Sequence, residues 1–120
     1  MTIAERLDEL RARHSGCVLV AFGDLDTRLI LRTSAEEALP QEQLDRLCNQ
    51  AVDTFSLSDA ARADESRGSE AFVMTPMDTR IIVRSEAGGS DFLCCVCEGD
   101  EAVPAIAECA REVLREVSTL

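Results

Sequence analysis

The sequence predicts an α+β sandwich, α-ββ-α-βββ-α, in which a five-stranded antiparallel sheet of order 2-1-5-4-3 is covered by helices on both faces. Three observations carry that prediction. Helix-period and strand-like apolar blocks follow one another in this order through 120 residues. Two of the strand-like blocks, Cys17-Val18-Leu19-Val20-Ala21-Phe22 and Phe92-Leu93-Cys94-Cys95-Val96-Cys97, are apolar at every position, which describes strands buried on both faces. Their neighbours in sequence carry charge at their ends, as strands flanking a sheet centre do. A chain of this length buries roughly two thirds of its unfolded surface around one core, so residues 1–120 are expected to form a single domain.

The first helix spans residues 3–12, because Ile3, Leu7 and Leu10 recur at i, i+4 and i+7 with charges on the remaining faces. Gly16 is placed to close it in a left-handed conformation. After the first apolar strand, Asp24-Leu25-Asp26-Thr27 makes a turn into the second, residues 28–32, which bears arginine at both ends. Between residues 40 and 57, Leu44, Leu47, Cys48, Ala51, Val52 and Phe55 form a helical stripe behind Pro40, a residue suited to a first turn. Residues 58–69 are polar and charged and read as a surface connection.

Residues 71–75 and 80–84 form a hairpin about Pro76-Met77-Asp78-Thr79. In its second strand Arg80, Ile82 and Arg84 share one face, and Ile81 and Val83 the other. A loop containing Gly88-Gly89-Ser90 leads to the last apolar strand. The closing helix, residues 101–117, has Asp100 as a candidate cap, Pro104 in its first turn and a wide apolar face of Val103, Ile106, Ala110, Val113, Leu114 and Val117.

Placing the two fully apolar strands side by side at the centre, each with its hairpin neighbour outside, gives the order 2-1-5-4-3. The third strand is then an edge. Ala71, Phe72, Val73 and Met74 carry no charge, and none of the usual devices keeps such an edge from pairing with another chain. A symmetric homodimer would cover it.

Composition excludes several function classes. No uncharged apolar run approaches the roughly 18 residues of a membrane span, and Glu5, Asp8 and Glu9 near the amino end are unlike a secretory signal. A cytoplasmic protein is expected, with six reduced cysteines. A net charge of −11 opposes nucleic acid. All twelve cations are arginine, so Schiff-base chemistry, a lysine base and a phosphate-loop lysine are absent. There is no Trp or Tyr to stack on bases or sugars.

The succession of Leu7 and Leu10 before Ser15-Gly16-Cys17-Val18-Leu19-Val20, then the hairpin, the long middle helix and the three-strand meander, resembles the roadblock/LC7 family along essentially the whole chain. The resemblance implies a profilin- and longin-like fold, a dimer built on the third strand and middle helix, and a non-catalytic regulator or scaffold, bacterial members of which bind Ras-like GTPases. Carried onto this sequence, it implies a dimer surface of Ala71, Phe72, Val73 and Met74 with Leu44, Leu47, Cys48, Ala51 and Phe55.

Candidate chemistry is sparse. Cys94, Cys95 and Cys97, with Cys17 on the neighbouring strand, are the first choice for metal or redox use, but strand geometry points Cys94 away from the other two. Structural zinc gathers its ligands from turns, so packing is the favoured reading. His14 and Cys17 form a His-x-x-Cys pair whose simpler reading is a histidine at a helix end. Gly88-Gly89 lacks the residues of a phosphate loop, and Asp24 with Asp26 reads as a turn rather than a cation site. Glu36-Glu37, Asp64-Glu65 and residues 98–101 form acidic surface that would steer a basic partner. Arg28, Arg32, Arg80 and Arg84 are candidates to grip an acidic one.

The expected function is a homodimeric interaction module without catalysis, cofactor or metal, acting on a protein partner such as a small Ras-like GTPase. A small-molecule sensor resembling PAS or GAF domains is the alternative, followed by a cysteine-based metal or redox protein.

Overall fold

The computed structural model describes residues 2–62, 68–86, 88–99 and 102–119. Helix α1, Ile3–Arg13, opens on Thr2, whose hydroxyl accepts the backbone N–H of Glu5 at 3.1 Å, and Glu5 is the acidic third residue of such a capping arrangement. The helix ends because His14 turns extended, at φ −127° and ψ 106°. Gly16 therefore does not close it in a left-handed conformation; the glycines with positive φ are Gly88 and Gly99.

Strands β1, Cys17–Asp24, and β2, Leu29–Ala35, follow, then helix α2, Gln41–Ala61. Pro40 is the residue before α2 rather than part of its first turn. Beyond 57 the polar sequence still continues the helix to Ala61, in part because Asp59 has a partner in the sheet. Strands β3, Glu70–Met74, β4, Thr79–Arg84, and β5, Asp91–Cys97, complete the sheet, and α3, Val103–Val117, carries Pro104 in its first turn. Asp100 and Glu101, and with them the expected cap, lie outside the described residues, as do Asp64 and Glu65.

The strand order is β2-β1-β5-β4-β3, antiparallel throughout. Two irregularities shape it. Leu31 is the extra residue between the pairs Phe22↔Arg32 and Gly23↔Ile30, and Val18 between Cys17↔Cys97 and Leu19↔Val96. Each bulge shifts which face the following side chains occupy. At Gly23 the backbone needs the missing side chain, because a Cβ there would stand 2.6 Å from the Leu29 carbonyl oxygen and 2.7 Å from the Phe92 ring.

Two cores result, one on each face. Leu7 and Leu10 of α1 and the apolar stripe of α3 cover Val20, Phe22, Ile81, Val83, Leu93 and Cys95. On the other face Leu47, Cys48, Ala51 and Phe55 of α2 cover Leu19, Ala21, Ile82, Phe92, Cys94 and Val96. Phe92 is fully buried, and a side chain of its kind contributes about 1.5–3 kcal/mol on leaving water. One polar element ties α1 to β2: buried Ser34 donates to Asp8 and accepts from the Arg11 Nε at 2.9 Å.

Candidate functional site

β3 pairs with β4 on one side, and no described strand lies on its other. Its register sets Phe72 opposite Ile81, on the face of α1 and α3, and Ala71 and Val73 opposite Ile82 and Arg80, on the face of α2. Phe72 is 46% exposed and Met74 77%. Ala71 is buried and Val73 half-buried. Glu70, at the strand's start, is ion-paired with Arg111 of α3, so the stretch beyond it offers unpaired backbone and apolar side chains without charge.

The α2 residues expected to join this surface are placed otherwise. Leu47, Cys48, Ala51 and Phe55 face the sheet and are buried within one chain. The physical reason is that β1 and β5 are apolar on both faces, and α2 is the described helix that covers this one. Leu44 is half-buried, and Leu57 is the large apolar α2 side chain left strongly exposed, at 73%.

The four candidate arginines also divide. Arg84 is buried: its guanidinium donates to both carboxylate oxygens of Asp59, at 2.5 and 3.0 Å, and to the Gly68 carbonyl at 2.6 Å. It stacks over the Phe55 ring at 4.2 Å. It is thus a bridge between β4 and α2 rather than a free grip for a partner. Arg80 donates to Gln50 of α2 at 2.7 Å and to Asp78 at 3.2 Å. Arg28, held at φ 57°, remains exposed while donating to Asn49 at 3.0 Å. Arg32 is exposed, with a bond to the neighbouring Leu31 carbonyl.

Sequence reasoning missed a groove of about 610 Å³ at the amino end of α2. Its floor is Val18, Leu19, Leu47 and Val96, and Glu36, Glu37 and Glu98 are among its rim residues. The acidic pair Glu36-Glu37 is visible in the sequence; its approach to Glu98 depends on the sheet order.

The thiols fall on two faces, Cys94 parted from Cys95 and Cys97 by strand alternation and Cys17 brought to the side of the latter two by the bulge at Val18. Cys17, Cys95 and Cys97 lie among the α1 and α3 packing, and Cys94 lies beneath α2 in one core with Cys48 of that helix. All six are free. Hydrogen bonds from Cys95 and then Cys97 draw the Cys17 thiol down to about 4, against burial, with the nearby His14 pulling the same way. The same contact with Cys17, and burial, push Cys95 up, while burial pushes Cys94 up to about 12. His14 Nε2 is buried without a hydrogen-bond partner among the described residues. Among these residues no three His, Cys, Asp or Glu side chains are grouped so as to hold a metal ion, and no helix is long and apolar enough to cross a membrane.

No protein-family model and no curated protein matches the chain. Solved structures do. A roadblock/LC7 domain from Streptomyces avermitilis superposes with a TM-score of 0.83 at 13% identity, over 99% of this chain and 97% of that one. The gliding protein MglB from Thermus thermophilus gives 0.76 at 18% identity, over 99% and 93%. Myxococcus xanthus MglB gives 0.75 at 9%, over 98% and 92%. The likeness is one of fold, and the fold is that of roadblock/LC7 domains.

Proposed function

We propose that this chain is a non-catalytic interaction module that pairs with a second copy of itself along β3 and regulates or scaffolds a protein partner, a small Ras-like GTPase. The observation that carries the pairing is the open β3 edge with Phe72 and Met74 in solvent. An edge of this kind leaves a row of backbone donors and acceptors that a second strand satisfies, and a two-fold axis through β3 brings the same residues of both copies together. Five residues of strand fall short of the ~1,000 Å² of a stable interface. Val73 lies on the α2 face, so the outer side of α2, where Leu57 is exposed, supplies the remainder.

The fold supports the partner class: it is shared with MglB structures, one of which is described as having a tetrameric arrangement. The resemblance to roadblock/LC7 domains carries the expectation of Ras-like GTPase binding. Arg28 and Arg32 keep enough exposure to meet an acidic patch on that partner, whereas Arg84 does not. The test is titration calorimetry with a Ras-like GTPase from the same organism, loaded in turn with GDP and with a non-hydrolysable GTP analogue. Binding that differs between the two states, and weakens in an Arg28→Glu, Arg32→Glu double variant, is expected. Absence of binding in both states contradicts the partner assignment and leaves the self-pairing to its own test.

A further inference from the structure

We infer that Cys17 and Cys97 form an oxidisable dithiol, a modification site that a hydroperoxide converts to a cross-strand disulfide. The two residues are partners in the β1–β5 ladder. The Glu98 N–H donates to the Gly16 carbonyl at 2.8 Å just outside the pair, while the Cys17 N–H is directed instead to His14, at 2.9 Å. A pair bracketed in this way is a non-hydrogen-bonded one, in which α-carbons stand about 4.5 Å apart with side chains close. That lies within the roughly 4.4–6.8 Å that a disulfide spans.

The bulge at Val18 creates this juxtaposition. The register Leu19↔Val96, Val20↔Cys95 continued without interruption would set Cys17 opposite Glu98 and beneath α2. The extra residue turns Cys17 to the other face, beside Cys97 and Cys95. The electrostatics then assign roles. Thiol hydrogen bonds and His14 favour the thiolate at Cys17, and the thiolate is the attacking form. The pair occupies the first residue of β1 and the last of β5, where ladders open at small cost, so a peroxide reaches it by local fraying.

The Cys17 thiolate attacks one oxygen of hydrogen peroxide; the O–O bond breaks, and the departing oxygen takes a proton and leaves as water, or as the alcohol where the oxidant is an alkyl hydroperoxide. Cys17 is now a sulfenic acid. The Cys97 sulfur attacks the Cys17 sulfur, its proton leaves with the displaced hydroxide as a second water, and the S–S bond forms. With hydrogen peroxide the sum is two thiols and one peroxide giving one disulfide and two waters, the thiols losing two electrons to the peroxide.

The experiment uses the full chain in a Cys109→Ala background, which removes the one thiol that is not buried. Reduced protein is treated with hydrogen peroxide, unfolded, and its thiols counted, with intact mass measured in parallel. Loss of two thiols with loss of two hydrogens is expected, together with a non-reducing tryptic link between peptides 14–28 and 85–111. Cys95→Ala should still close the bond, whereas Cys17→Ala and Cys97→Ala should not, circular dichroism serving as the check that each is folded. His14→Gln should slow the loss. An unchanged thiol count in the parent, or closure that persists in folded Cys97→Ala, overturns the assignment. These readouts do not depend on pairing along β3.

Discussion

Arg84 is a charged residue that behaves as part of the core, held by a carboxylate, a carbonyl and an aromatic face together. Cutting it back strands the Gly68 carbonyl and one side of Asp59. Asp59 keeps partial access to water, so Arg84→Ala should cost about 2–3 kcal/mol by urea unfolding, below the full penalty of a broken buried pair. Arg84→Met, which keeps the stem over Phe55, should cost less. Gly23→Ala should cost about 1–3 kcal/mol or more in the same assay, because the obstacle is backbone as well as the Phe92 ring. The thiols predict an alkaline limit. Without Lys or Tyr, cysteines are the side chains that titrate between their ordinary range and that of arginine. Cys94 holds its proton to about 12 when folded, against 9.0 as the ordinary value. Unfolded chains therefore lose protons first, and stability should fall as pH rises from 9 towards 12, less steeply in Cys94→Ala. Of these residues the sequence showed the face on which Arg84 lies but not its burial, since Asp59 of α2 reaches it from 25 positions away and the Gly68 carbonyl from 16.

At the scale of elements, apolar periodicity was enough to order the strands, because β1 and β5 each carry a six-residue run without charge, while β4, also buried on both faces from Ile81 to Arg84, carries arginine at positions 80 and 84. Ends were less legible. Alternation places no stop at Phe22 or Leu57, and helix α1 ends on the extended His14 rather than on a glycine. The bulges at Val18 and Leu31 were hidden as well, since an extra residue leaves no mark in a fully apolar or mixed run. The most consequential misplacement concerned α2: its stripe reads equally as a core face or as an interface, and the sheet's need for cover decides for the core. Helix α1 offers a simple check of local reasoning. Thr2→Ala removes the hydroxyl that accepts the Glu5 N–H and should lower stability by about 1 kcal/mol, measured by the shift in urea midpoint.

For the whole molecule, charge and shape oppose each other at the proposed contact. Two copies each carrying −11 repel at long range, while the residues from Ala71 to Met74 bring no charge to the contact itself. Self-association should therefore tighten as salt rises and screens the repulsion, and a contact held by surface ion pairs would show the opposite trend. Sedimentation velocity at tens of micromolar, on wild type beside Phe72→Asp, tests the central claim most directly. Pairing along β3 predicts a wild-type species of twice the 13.1 kDa chain mass and a folded monomer for the variant. A wild-type monomer, or a dimer that Phe72→Asp leaves intact, would contradict it.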